Sequence, residues 1–300
     1  MRRIRRLPGS TWPIFVGIVA LGAACTRAPT RDPLLLGLQP AAMEEDADPN
    51  FQLPPISSMA EYAVVLVPAG ETLAVRDQAG TSGNVVAELS SDQRPIRATG
   101  VTSQLGSSVW VEIELPGGGR GWMRAWNLTE ARTAEQICSD PRVASTLDNF
   151  LQAGEAGDPA ALRRSVSPWR GLAIRLDAEG GEVRFLPESL GTLFSPETPI
   201  DWLARPEAGA EGAGSFPRDI VAPLAAAVRA VPPICGELPA GETTTPPEWP
   251  AEFANLNFVA FHSPADPTGS EYVWDTWAVG FDYAGGAPYV AVIVHYQGEI

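Results

Sequence analysis

Lysine is absent from this chain: all 21 basic residues are arginines. We read that as the codon bias of a GC-rich genome rather than as function. Positive charge is scarce as well. Four arginines fall in the first six positions, and the remaining 17 face 36 acidic residues, a balance of −19. A surface of that sign repels phosphate backbones and anionic headgroups, which argues against nucleic acid as a partner. It leaves membrane attachment to covalent lipid or to apolar contact. His262 and His295 are the only histidines, and the three cysteines have no paired spacing, which argues against a zinc centre. No glycine-rich phosphate loop and no Gly-x-Ser-x-Gly elbow occurs. No catalytic, metal-ligating or cofactor-binding residue is therefore expected, and no cofactor. No apolar run reaches the roughly 20 residues that a membrane-spanning helix needs.

What is present is an export signal. Arg2, Arg3, Arg5 and Arg6 precede an apolar run over residues 12–24 that closes on Gly22, Ala23 and Ala24. Residues 1–24 therefore read as a signal peptide. Leu21-Gly22-Ala23-Ala24-Cys25 resembles the lipobox of bacterial lipoproteins, although Gly22 stands where that motif usually carries leucine. The resemblance implies that Cys25 is acylated and holds the chain on a membrane. The alternative is plain secretion after Ala24, with Cys25 left as a thiol. Both place the protein outside the cytoplasm.

Residues 25–60 are rich in proline, alanine and acids, and read as a lipidated N-terminus followed by a disordered linker. From Tyr62 the pattern turns to short alternating strands separated by turns. In Val109-Trp110-Val111-Glu112-Ile113-Glu114-Leu115 the four aliphatic residues share one face. Val75-Arg76-Asp77-Gln78-Ala79-Gly80-Thr81 is followed by Val85-Val86-Ala87-Glu88-Leu89, then by Trp110-Val111-Glu112-Ile113, Gly121-Trp122-Met123 and a terminal Leu128. In order and spacing these pieces resemble the bacterial Src-homology-3 family (SH3b), with Ala79 where the family commonly has proline. The resemblance implies a small β-barrel over residues 61–130. It also implies a module that binds peptidoglycan peptides or another envelope component, or one that serves only as a spacer. Trp110, Trp122 and Trp126 are the candidate contact residues; Trp110 and Trp122 are expected to pack the barrel, with Trp126 the more exposed.

Residues 133–300 have a different texture. Asp140-Pro141 and Asp158-Pro159 each pair an N-cap with proline at the first helical position. Val143, Leu147, Phe150 and Leu151 recur at helical spacing, and Gly154 and Gly157 are expected to end that helix. A hairpin over 171–176 and 182–186, a helix over 220–230, and strands over 255–262, 274–283 and 288–296 complete the expectation. Trp277, Val279, Phe281 and Tyr283 alternate onto one apolar face that must be covered. Helices first and an antiparallel sheet last give an α+β domain. The Phe150–Leu162 stretch resembles nuclear-transport-factor-2-like (cystatin-related) domains, which implies helices covering a curved sheet. The fold class is thus mainly β plus α+β, a small barrel followed by an α+β domain.

Cys138 and Cys235 remain after Cys25, and outside the cytoplasm two such thiols pair. Ile234-Cys235-Gly236-Glu237 lacks the context of a papain-like nucleophile. Trp169, Trp202, Trp249, Trp274 and Trp277 suit either a sugar pocket or a core, the core being the simpler account. The expected protein is a non-catalytic envelope lipoprotein that binds a wall or other extracytoplasmic ligand. The alternatives are a cell-wall hydrolase targeted by the barrel and a structural or assembly factor.

Overall fold

The strands of this chain are short and turn-bounded in the first half and long in the last, and the computed structural model arranges them as two curled sheets. It describes residues 53–176, 181–195, 200–202, 213–239, 247–264 and 273–299. The leader, Cys25 and residues 26–52 of the tether lie outside the described residues.

The first sheet contains β1 (Glu61–Val64), β2 (Thr72–Arg76), β3 (Val85–Ser90), β4 (Ile96–Leu105), β5 (Ser108–Glu114), β6 (Arg120–Arg124) and β7 (Leu128–Glu130). All neighbours are antiparallel in the order β3-β2-β6-β5-β4-β1-β7. β4 serves two partners: Ile96 and Arg97 face β1, then a bulge between Ala98 and Thr102 turns the strand along β5. The expected face of β5 points inward, where Val111 and Ile113 pack with Val64, Val75, Leu89 and Met123, and Val109 and Leu115 join from the edge. The linker expectation is corrected at residues 53–60. Ile56 and Ala60 pack on this core, and the Tyr62 hydroxyl accepts from Ser57 N at 2.8 Å and donates to Ser57 O at 3.1 Å. Burial pushes the Tyr62 phenol up to about 12, with the Ser57 bond opposing.

Four helices follow: α1 (Ala134–Ser139), α2 (Pro141–Ala156), α3 (Pro159–Ser165) and, after the hairpin, α4 (Ala222–Ala230). Asp140 and Asp158 cap α2 and α3 as the Asp-Pro pairs require, accepting from Arg142 N and Ala161 N. The Arg142 guanidinium holds the Asp140 carboxyl well below the usual range. Gly157 ends α2 in the left-handed conformation, whereas Gly154 lies inside the helix. A Cβ there would come 2.6 Å from a Val221 methyl. The expected helix at 220–230 starts as a π-helical turn, Pro217–Val221, that runs directly into α4.

The second sheet joins β8 (Leu172–Arg175), β9 (Val183–Phe185), β12 (Ile234–Cys235), β13 (Asn257–Ser263), β14 (Val273–Ala284) and β15 (Ala287–Glu299) in the order β12-β13-β14-β15-β8-β9. β10 (Ile200–Asp201) and β11 (Ala213–Gly214) form a small separate ribbon. The expectation of an antiparallel sheet is corrected at one pairing: β15 runs parallel to β8, Ile293 opposite Ile174. Trp277, Val279, Phe281 and Tyr283 line one face and are covered by Leu147, Phe150, Val221 and Leu224 from the helices. The other face is also buried: Ala260, Ala278, Val292 and Val294 pack with Phe253, Leu256 and, just after β1, Val65. Cys138 of α1 and Cys235 of β12 form a disulfide with Cα atoms 5.8 Å apart. All described residues belong to one compact unit.

Candidate ligand cleft where the sheets meet

Beside its apolar contacts the junction carries a set of buried hydrogen bonds. Asn255 Nδ2 donates to Val64 O at 2.7 Å, Leu66 N to Glu252 O at 2.8 Å, and Asn257 Nδ2 to Arg132 O at 2.7 Å. At its centre lies a buried ion pair. Arg170 reaches Asp282 Oδ1 at 2.6 Å and donates to Leu128 O at 2.7 Å, with 1% and 0% of the two side chains exposed. Thr129 and Ser167 hydroxyls donate to the two Asp282 oxygens at 2.7 and 2.6 Å. Burial lowers the Arg170 pKa and the Asp282 charge opposes that. The pair fastens β7 to β14, and so fixes the chain at the end of β7.

There Glu130 and Arg132 stand on the wall of an open cavity of about 540 Å³. Three separated pieces of chain build it: the 55–61 strap, residues 130–136, and the turn at Gly285 and Gly286 between β14 and β15. Glu130 is almost fully buried; one oxygen accepts from Gly286 N and the other from Arg132, each at 2.8 Å. Arg132 lies over the Tyr283 ring at 5.1 Å. Glu61 anchors the strap through its carbonyl, which accepts from Ala131 N at 2.7 Å. Gln136 closes a capping box on α1, accepting from Thr133 N at 2.9 Å while its own backbone N–H donates to the Thr133 hydroxyl. The disulfide holds α1 against β12 and therefore holds this wall.

The three candidate tryptophans do not come together as one surface. Trp110 is buried, at 5% exposure. Trp122 is half-buried on the outward side of β6, opposite Glu112 and Arg76. The expectation of an exposed Trp126 is corrected: it is half-buried beneath the Arg184 guanidinium, 5.5 Å from the ring, and its carbonyl accepts from Arg170. Among the described residues the other tryptophans pack. Trp169 caps the core of the first sheet, Trp202 and Trp277 lie in the helix-side core, and Trp249 stacks on Phe258 at 4.3 Å.

The two histidines lie on opposite faces of the second sheet. His262 Nδ1 bonds the Thr276 hydroxyl at 2.7 Å, and burial lowers its pKa. His295 lies within β15 rather than at its end; it hydrogen-bonds Asp275 and stacks on Trp277 at 4.2 Å. Sequence reasoning missed Glu130, Arg132, Arg170 and Asp282. One signal was available: Asp282 is a charge set between Phe281 and Tyr283 in an otherwise apolar strand.

No known protein family, curated protein or solved structure matches the chain.

Proposed function

We propose that this chain is a non-catalytic protein of the cell envelope, tethered by lipid at Cys25, that recognises a cell-wall or other extracytoplasmic component. Residues 61–130 act as its SH3-like module, and residues 133–300 as a nuclear-transport-factor-2-like α+β partner. The observation that carries recognition is the junction cleft, an open cavity whose polar wall is held rigid by the Glu130–Arg132 pair and by the buried Arg170–Asp282 pair behind it. Curled antiparallel strands in the first half, and helices covering a curved sheet in the second, agree with the two resemblances. The disulfide is consistent with an oxidising, extracytoplasmic compartment.

The test uses the whole mature chain, because the two sheets share buried contacts. Incubation with purified sacculi, followed by sedimentation, should retain the protein and release no soluble muropeptide. Release would replace this reading with that of a hydrolase, and failure to sediment would remove the wall as ligand. The anchor is checked separately: Cys25→Ser should move the protein from the membrane fraction to the soluble one, and protein that stays with the membrane would exclude the lipid.

A further inference from the structure

The cleft offers groups suited to one ligand chemistry. Glu130 is closed by Gly286 and by one guanidinium nitrogen of Arg132, which neutralises its charge, while Arg132 Nε is buried without a partner among the described residues. Glu61 differs: it is exposed, it lines the cavity, and among the described residues no donor meets its carboxylate. Gln136 is directional. Its Oε1 must accept the Thr133 backbone N–H, so the amide cannot flip, and its NH2 is left as a donor with no partner among the described residues. Met59, 94% exposed, and Pro55 supply an apolar rim.

An anionic ligand would be opposed by Glu61 and by the acidic chain as a whole; the one cation of the lining, Arg132, is already neutralised by Glu130, and Arg97, opposite Glu61 on β4, lies outside the lining. A neutral sugar can donate hydroxyls to that carboxylate but leaves its charge uncompensated. A metal ion needs several oxygen ligands, and the described residues hold no group of three or more His, Cys, Asp or Glu able to bind one. An ammonium satisfies Glu61, a carbonyl satisfies the Gln136 amide, and aliphatic carbon covers Met59. The cavity lies within the ~300–1,000 Å³ range of small-ligand sites. We propose that the cleft binds an ammonium-bearing peptide, with Glu61 accepting from the ammonium and Gln136 donating to a peptide carbonyl. This rests on the reading of the chain as an envelope recognition protein, and it gives the ligand a chemical class. The acidic chain as a whole steers such a cation toward the site.

The test is a calorimetric titration of the whole chain from residue 25 onward, carrying Cys25→Ser. The probes are the N-acetylated, C-amidated tetrapeptide Ala-Gln-Lys-Ala with its lysine amine free, and the same peptide with that amine acetylated. The free-amine peptide should bind saturably, and acetylation should weaken binding about tenfold or more, the worth of one charge-assisted hydrogen bond. Glu61→Gln should weaken it equally without moving the melting temperature, while Glu71→Gln, an exposed acid outside the cleft, should change nothing. Equal binding of the two peptides, parental affinity in Glu61→Gln, or no saturable binding of the free-amine peptide would each overturn the assignment. Sacculus retention of the same preparation separates the two proposals. Retention without peptide binding removes the cleft assignment alone, and peptide binding without retention removes the wall reading alone.

Discussion

Arg170 is the side chain on which the junction turns. It is 1% exposed, and its two terminal nitrogens donate to Asp282 and to the Leu128 and Trp126 carbonyls, while Nε has no partner among the described residues. Removing one partner of a buried pair leaves the other charge uncompensated, at a cost of ~3–5 kcal/mol. Arg170→Met should therefore lower unfolding stability by about that amount in a urea titration. A change below about 1 kcal/mol, the range of exposed pairs, would show that the pair is not buried. Tyr62 makes a statement about pH. Its phenol is held neutral up to about 12 in the folded chain, against 10.0 unperturbed, so its contribution is complete below pH 10 and is lost as the pH rises toward 12. Burial raises Tyr283, Tyr289 and Tyr296 in the same direction. Melting temperatures should fall steadily above pH 10, and Tyr62→Phe should fall less steeply. Parallel slopes for the two proteins would exclude Tyr62 as a contributor.

At the scale of elements, Gly154 sets local preference against packing. Glycine inside a helix costs ~1 kcal/mol relative to alanine, but here it admits the Val221 side chain, and overpacking such a site costs ~1–3 kcal/mol. Gly154→Ala should therefore destabilise by about 1 kcal/mol net in chemical denaturation; a more stable variant would mean the contact is loose. The same element shows what could be read in advance. α2 and α3 were legible because Asp140-Pro141 and Asp158-Pro159 are local signals, and β14 because four apolar residues alternate from Trp277 to Tyr283. The helix boundary at Gly154 was misplaced because its reason lies in Val221, 67 positions away. The parallel pairing of β8 with β15 carries no local mark for the same reason. The strap at 53–60 read as linker because its order rests on two apolar residues and the two hydrogen bonds of one hydroxyl. The cleft was illegible as a whole: its three pieces are adjacent only after both sheets have docked, and no spacing rule joins Glu61, Gln136 and Gly286.

At the scale of the molecule, the contacts across the junction make the two sheets a single cooperative body, and calorimetry should show one transition. The Cys138–Cys235 bond closes a span of 97 residues, worth about 4–5 kcal/mol in the chain-entropy account. Reduction should lower that transition by on the order of 10 °C for a chain of this size; an unmoved transition would mean that the bond contributes nothing. The parallel neighbour of β8 has a further consequence. β15 sits inside the sheet, between β14 and β8, so residues 172–185 wait for a strand made more than a hundred positions later. A nascent chain halted before residue 287 has no slot filler, and its hairpin, its helix cover and the cleft turn stay apart. Local pairing alone therefore cannot close the second sheet: its two flanks are joined only through this one inserted strand.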